Sequence, residues 1–195
     1  MYTIGPEIRY EELAAATGLP FSVADAKDHL HIDGTDSDDY VELLIKAAWK
    51  SVEQQIQRPI MSRSWVQYWD EFPFNCATKG NLYYFLLYWG NVTAITHIKY
   101  YNTSNVLTTF TDYTADLVSD RARIVLTDGV TEPDTYDRPN AVIVTYAAGY
   151  TTIPDDIIAA MKLIVGELYE KRENTIKSLP SAAEYLLAPY KLWQI

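Results

Sequence analysis

Apolar residues in this chain recur with a helical period, then a strand period, then a helical period again. Those two switches constrain the fold more than any other feature. Val41, Leu44, Ile45, Ala48, Trp49, Val52 and Ile56 return every three or four residues, which lines one face of a helix over about residues 37–57. Lys46, Lys50, Glu53 and Gln57 fall mostly off that stripe. Arg58-Pro59 ends it, because proline excludes the helical conformation for the residue before it. From Ser62 to about Tyr150 the pattern is that of strands: Trp65, Gln67 and Trp69 alternate with Val66 and Tyr68, Leu82–Tyr88 is a continuous β-prone run, and Val92 to Tyr101 alternates again. Arg123–Thr127 and Ala141–Tyr146 are two more strand candidates, with a weaker pair at Val106–Phe110 and Tyr113–Leu117. Turn residues separate these runs too closely for crossover helices, so the spacing predicts an antiparallel unit of about five or six strands. Pro154-Asp155-Asp156 then opens a second long stripe of Ile157, Ile158, Met161, Ile164, Val165, Leu168 and Tyr169.

Shorter helices flank these elements. Ser22-Val-Ala-Asp25 has the form of a capping box and predicts a helix to about Ile32. Asp33 to Asp39 resembles a cation loop, but its glycine is misplaced and no glutamate closes it, so it reads as a turn with Asp36 or Ser37 as N-cap. Asn174–Leu179 reads as a loop, and Ser181-Ala-Ala-Glu184 as a second capping box. The first twenty residues are ambiguous, with Glu11–Ala16 suited to a short helix stopped by Gly18-Leu19-Pro20. The expectation is one α+β domain over 1–195: a helical core of two long helices plus short N- and C-terminal helices, with an inserted antiparallel β unit. Its parts are 22–58, the β insertion 62–150, the helix 154–173, and a short helix with an apolar tail over 181–195.

Charge and composition narrow the function. A net charge of −10 argues against a protein that grips nucleic acid by neutralising phosphates, and against docking on an anionic membrane. The start lacks a basic stretch followed by an apolar one, so it does not read as a secretory signal. No apolar run approaches the roughly 20 residues of a membrane span. Cys76 is the only cysteine, which leaves no intrachain disulfide and no thiolate metal cluster. His29, His31 and His97 have no ligand spacing, and the nucleophile-elbow and phosphate-loop motifs are absent. No catalytic, metal or cofactor residue is assigned, and no cofactor is expected. An unrecognised carboxylate pair is the enzymatic alternative.

The aromatic count is unusual, with 16 Tyr and 5 Trp against 5 Phe. Rings with a polar tip suit half-buried contact surfaces. Tyr83, Tyr84, Tyr88, Trp89, Tyr100 and Tyr101 either form a stacking platform for sugars or divide between the inside and outside of the β unit; the second reading is preferred. The last stretch is apolar to its end. Leu186, Leu187, Tyr190, Leu192 and Trp193 therefore either fold back on the core or meet a partner.

Three ordered segments resemble the head–tail connector (adaptor, head-completion) family of tailed bacteriophages. The first is Ser22-Val-Ala-Asp-Ala-Lys-Asp-His-Leu-His-Ile-Asp33 with Asp38-Asp39, the Leu44–Ala48 helix and Arg58-Pro59-Ile60. The second is Val142-Ile-Val-Thr-Tyr-Ala-Ala-Gly-Tyr150 followed by Ile153-Pro-Asp-Asp-Ile157. The third is Leu168-Tyr-Glu-Lys-Arg-Glu173 with Pro180 and Leu186-Leu187-Ala-Pro-Tyr190. The resemblance covers about residues 22–190, leaves residues 1–20 without a counterpart, and reaches the β unit only in kind.

The resemblance implies a non-enzymatic structural part of the virion, put together in the host cytoplasm. It would form a ring of about a dozen copies between the portal protein and a tail-side stopper or tail-completion protein. DNA would pass through without specific binding, its like charge discouraging adhesion. Within that reading Leu186, Leu187, Tyr190, Leu192 and Trp193 are the expected contact residues, for the portal or a neighbouring copy. A carbohydrate-binding β module using the Tyr and Trp platforms is the alternative.

Overall fold

The computed structural model describes residues 9–13, 16–74, 76–77, 83–171 and 180–192. The chain divides into two compact units, one of strands from Met1–Ala15 and Ser62–Gly149, one of helices from Ala16–Met61 and Tyr150–Ile195.

In the helical unit, α1 (Val23–Leu30) starts as the sequence predicts. Ser22 Oγ accepts the Asp25 N–H at 3.0 Å, and the Asp25 carboxylate accepts the Ser22 N–H at 3.2 Å. The Ser22 hydroxyl, donating to the same carboxylate at 2.5 Å, is the main reason Asp25 is a stronger acid than usual. His31 turns left-handed at φ 54° and closes the helix. The acidic loop that follows is organised by a cation of the chain itself. The Lys27 ammonium meets the Asp38 carboxylate at 2.6 Å and donates to the Gly34 carbonyl.

The helix α2 (Asp38–Ile56) buries Val41, Leu44, Ile45, Ala48, Val52 and Ile56 as its spacing predicts, with Trp49 half-buried. Ser37 stands at its N-cap with no side-chain cap bond, so the dipole is met by Asp38 and Asp39 in the first turn. Glu53 departs from expectation: placed off the stripe by its spacing, it is 4% exposed. Past the left-handed Gln57 and Pro59, the Ile60 N–H has no helical acceptor, and Glu53 Oε1 accepts it at 2.7 Å.

Next comes α3 (Asp155–Glu170), which opens behind Pro154 and buries Ile157, Ala160, Met161, Ile164 and Val165. Last is α4 (Ser181–Leu187), followed by a 3-10 turn over Ala188–Tyr190. The second capping box does not form: Pro180 takes the N-cap position, which makes Ser181 the first helical residue instead of the cap. α3 packs on α2 and α4, and α1 on both long helices, around one apolar cluster.

The other unit holds nine strands: β1 (Arg9–Glu12), β2 (Arg63–Trp69), β3 (Cys76–Ala77), β4 (Tyr83–Gly90), β5 (Val92–Tyr101), β6 (Leu107–Phe110), β7 (Tyr113–Asp116), β8 (Arg121–Leu126) and β9 (Val142–Ala148). They pair antiparallel in two sheets, ordered β1-β2-β9-β5-β6 and β3-β4-β8-β7. In β9, Val142, Val144, Tyr146 and Ala148 are buried while Ile143 and Ala147 are less so; in β4, Phe85, Leu87 and Trp89 alternate with Leu86 and Tyr88. The inward residues of both sheets form a second apolar core.

The expected fold class therefore needs correcting. The chain is not a helical core with a β insertion of five or six strands. Among the described residues it is β-rich, with four helices, only two of them long, against nine strands in two sheets that close their own core. Nor does the β unit come from one insertion, because β1 precedes every helix. The short helix suited to Glu11–Ala16 is overridden: Arg9–Glu12 pairs with Trp65–Tyr68, and Tyr10 stacks on Tyr88 at 4.5 Å. The Tyr68 hydroxyl, donating to Glu11, fastens the same edge; burial first and that bond second push its pKa up to about 12.

Candidate contact surfaces

Of the five residues expected to make contacts, the four that are described divide between the helical core and its margin. Ala183 and Leu187, one turn apart, face the helical core, and Leu187 is 2% exposed. Leu192 is also buried, and its N–H donates to the Ile56 carbonyl at 3.1 Å. Leu186 and Tyr190 are half-buried, packed at the margin of the core. The Tyr190 carbonyl accepts from Arg58 Nε at 2.8 Å and its hydroxyl donates to Asp156 at 3.3 Å. Trp193 lies outside the described residues. Tyr185, unassigned from the sequence, is 81% exposed. Its signal was the same helical spacing, which turns it away from Ala183 and Leu187.

Most of the candidate platform rings are engaged in packing. Trp89 is fully buried against Trp65 at 4.8 Å and Tyr10 at 5.4 Å; Tyr88 lies under Tyr10. Tyr100 packs on Phe72, Arg138 covers the Tyr101 ring at 3.8 Å, and Arg123 lies over Tyr84. Tyr83 is the exposed member of the set. No observation favours a sugar platform.

His29 stands in the last turn of α1 with His31 just beyond it, both exposed. His97 Nε2 lies 3.0 Å from the Thr145 hydroxyl. Among the described residues no group of three His, Cys, Asp or Glu is placed to hold a metal ion. Cys76 is in β3, the short strand at the edge of the second sheet.

Among the exposed apolar side chains that escaped the sequence reading, two stand out with Tyr185 as the most exposed of the described residues. Leu43 is 60% exposed on α2, opposite its buried stripe. Val118, at the β7–β8 turn, is 98% exposed. The turn that carries it is stapled by one carboxylate. Asp116 accepts the Val118 N–H at 3.0 Å, the Ser119 hydroxyl at 2.8 Å and Arg123 Nε at 2.8 Å. Arg123 first, then Ser119, hold its pKa down at about 2.

Since the folded carboxyl is the stronger acid, its contribution is complete above the unfolded value near 3.8 and is lost as the pH falls through about 2. Asp116→Asn is expected to speed hydrogen exchange at the Val118 and Ser119 amides several-fold at neutral pH, measured by NMR. Equal exchange in the two proteins would show that the staple does not order the turn.

This arrangement of two antiparallel sheets and a helical unit recurs in solved structures. The protein shares its fold with a chain in the neck of an empty gene transfer agent particle computed with C6 symmetry (TM-score 0.73, 18% identity, 96% of this chain and 97% of that one). The same holds for a chain in the virion of a native gene transfer agent particle (TM-score 0.76, 18% identity, 95% and 96%). A third is in the neck of the native particle computed with C12 symmetry (TM-score 0.71, 19% identity, 96% and 97%). The chain belongs to the Head completion protein family, whose model matches residues 21–182. It is a structural head–tail adaptor. No curated protein matches its sequence significantly.

Proposed function

We propose that copies of this chain form a ring of about a dozen between the portal and a tail-side component, and that DNA passes through it. Closure by rotation needs two different patches on each copy, and the three most exposed of the large apolar side chains among the described residues lie on separate elements: Tyr185 on α4, Leu43 on α2, Val118 on the β7–β8 turn. The fold relatives from necks computed with C6 and C12 symmetry support annular packing, and a net charge of −10 suits a passage that DNA must not stick to. The role is structural and non-enzymatic, exercised in the virion after assembly in the host cytoplasm.

The observation that carries the portal contact is α4 itself. Leu187 and Leu192 hold this segment on the core from inside, which leaves Tyr185, with Leu186 and Tyr190 beside it, to meet the portal. Trp193 belongs to the same proposed contact. In negative-stain images the purified protein mixed with its portal should show an added ring. The Tyr185→Asp variant should bind the portal at least about tenfold more weakly, with unchanged melting. A portal that gains no density, or that binds this variant as tightly, would overturn the assignment.

A further inference from the structure

We propose that the β7–β8 turn of one copy is a plug that seats on the exposed face of α2 in the next copy. The proposal rests on the ring reading and adds which surfaces meet. Val118 is the most exposed of the large apolar side chains among the described residues. An apolar group at the end of a loose loop would be costly to order on binding. Here that cost is already met within the fold, because Asp116 fixes the turn through Val118, Ser119 and Arg123. Leu117 behind it is partly buried in the β-unit core, so the knob has a firm base. Asp120 is exposed beside it.

The receiving surface follows from the phase of α2. Residues 43, 46, 47, 50, 51 and 54 share the face opposite the buried stripe, and all six are exposed. Ala47 and Ser51 are small and one turn apart, so a side chain can approach the helix between Leu43 and the stems of Lys46 and Lys50. This face carries two lysines and no carboxylate of its own, in a chain of net charge −10. Glu42 at its border pairs with Lys46 at 2.6 Å, so Lys50 is the charge that faces Asp120 of the plug. The apolar knob meets an apolar and small-residue face, the acid meets a lysine, and the two patches differ, as a ring contact requires.

The test uses the full chain with Cys76→Ser and Val118→Cys, labelled at position 118 with benzophenone maleimide and irradiated in the neck assembled with the portal. The expected product has the mass of two copies, with the link inside residues 43–54. Its yield should fall at least about fivefold on Leu43→Asp, with unchanged melting. In unlabelled protein, Asp120→Lys should weaken ring formation, and adding Lys50→Glu should restore it. Rings that form while position 118 links to the portal, links within one chain or links to nothing would overturn the plug and leave the ring standing. If no rings form, both readings fall.

Discussion

Deleting residues 186–195 should lower the unfolding free energy of the chain by at least about 4 kcal/mol, a fall in melting temperature of about 8–16 °C. The segment is apolar and terminal, yet two of its side chains are interior. Leu187 belongs to the cluster formed by α2 and α3, and Leu192 is 5% exposed. Truncating one buried leucine to alanine costs about 2–5 kcal/mol, and here two are removed whole. The deletion also strips the Ile56 carbonyl of the Leu192 N–H, and Arg58 of the Tyr190 carbonyl, just where α2 ends. Urea denaturation followed by circular dichroism at the helix band measures the loss. A truncated chain that melts with the full one would show that these leucines do not hold the core.

Trp89→Ala should cost about 3–5 kcal/mol and act on the β unit. Trp89 is 1% exposed, and Trp65, Tyr10 and Tyr88 surround it with ring centroids at 4.8, 5.4 and 5.0 Å. Tyr10 comes from β1, Trp65 from β2 and the other two from β4, so one indole ties both sheets and the N-terminal strand together. Its removal should erase most of the near-ultraviolet dichroism and speed amide exchange along β1 and β2. Unchanged exchange in β1 would mean that the edge strand does not depend on this indole.

What could be read in the residues depends on how local the cause is. The stripe of α2 is written in seven positions over sixteen residues, and only a helix buries them together. β9 announces itself as a short β-prone run after the polar Thr131–Asn140, and Ser22 with Asp25 by a bond that spans three residues. β1 gives no such sign: four residues, two of them acidic, become a strand only because Trp65–Tyr68 lies open to receive them. Glu53 looks like a surface residue until the chain beyond Pro59 folds back with an unmet N–H. At the contact surfaces, apolar character near the C-terminus was legible. The direction each side chain takes was not, since Leu186 and Leu187 are adjacent in sequence and differently placed around one short helix. Val118 carried a readable sign, an apolar β-branched residue at a turn where Gly, Asn or Asp is usual.

The two cores also impose an order of events on the nascent polypeptide. The strands are all present once Ala148 has left the ribosome, so the sheets can close early. The greasy side of α2, made long before, has no α3 to cover it until Asp155 and beyond emerge, a delay of roughly 5–20 s at ordinary translation speeds. Through that interval the half-made molecule carries a sticky amphipathic rod, which makes it a natural client for chaperones and sets a lag before any copy is fit to be recruited.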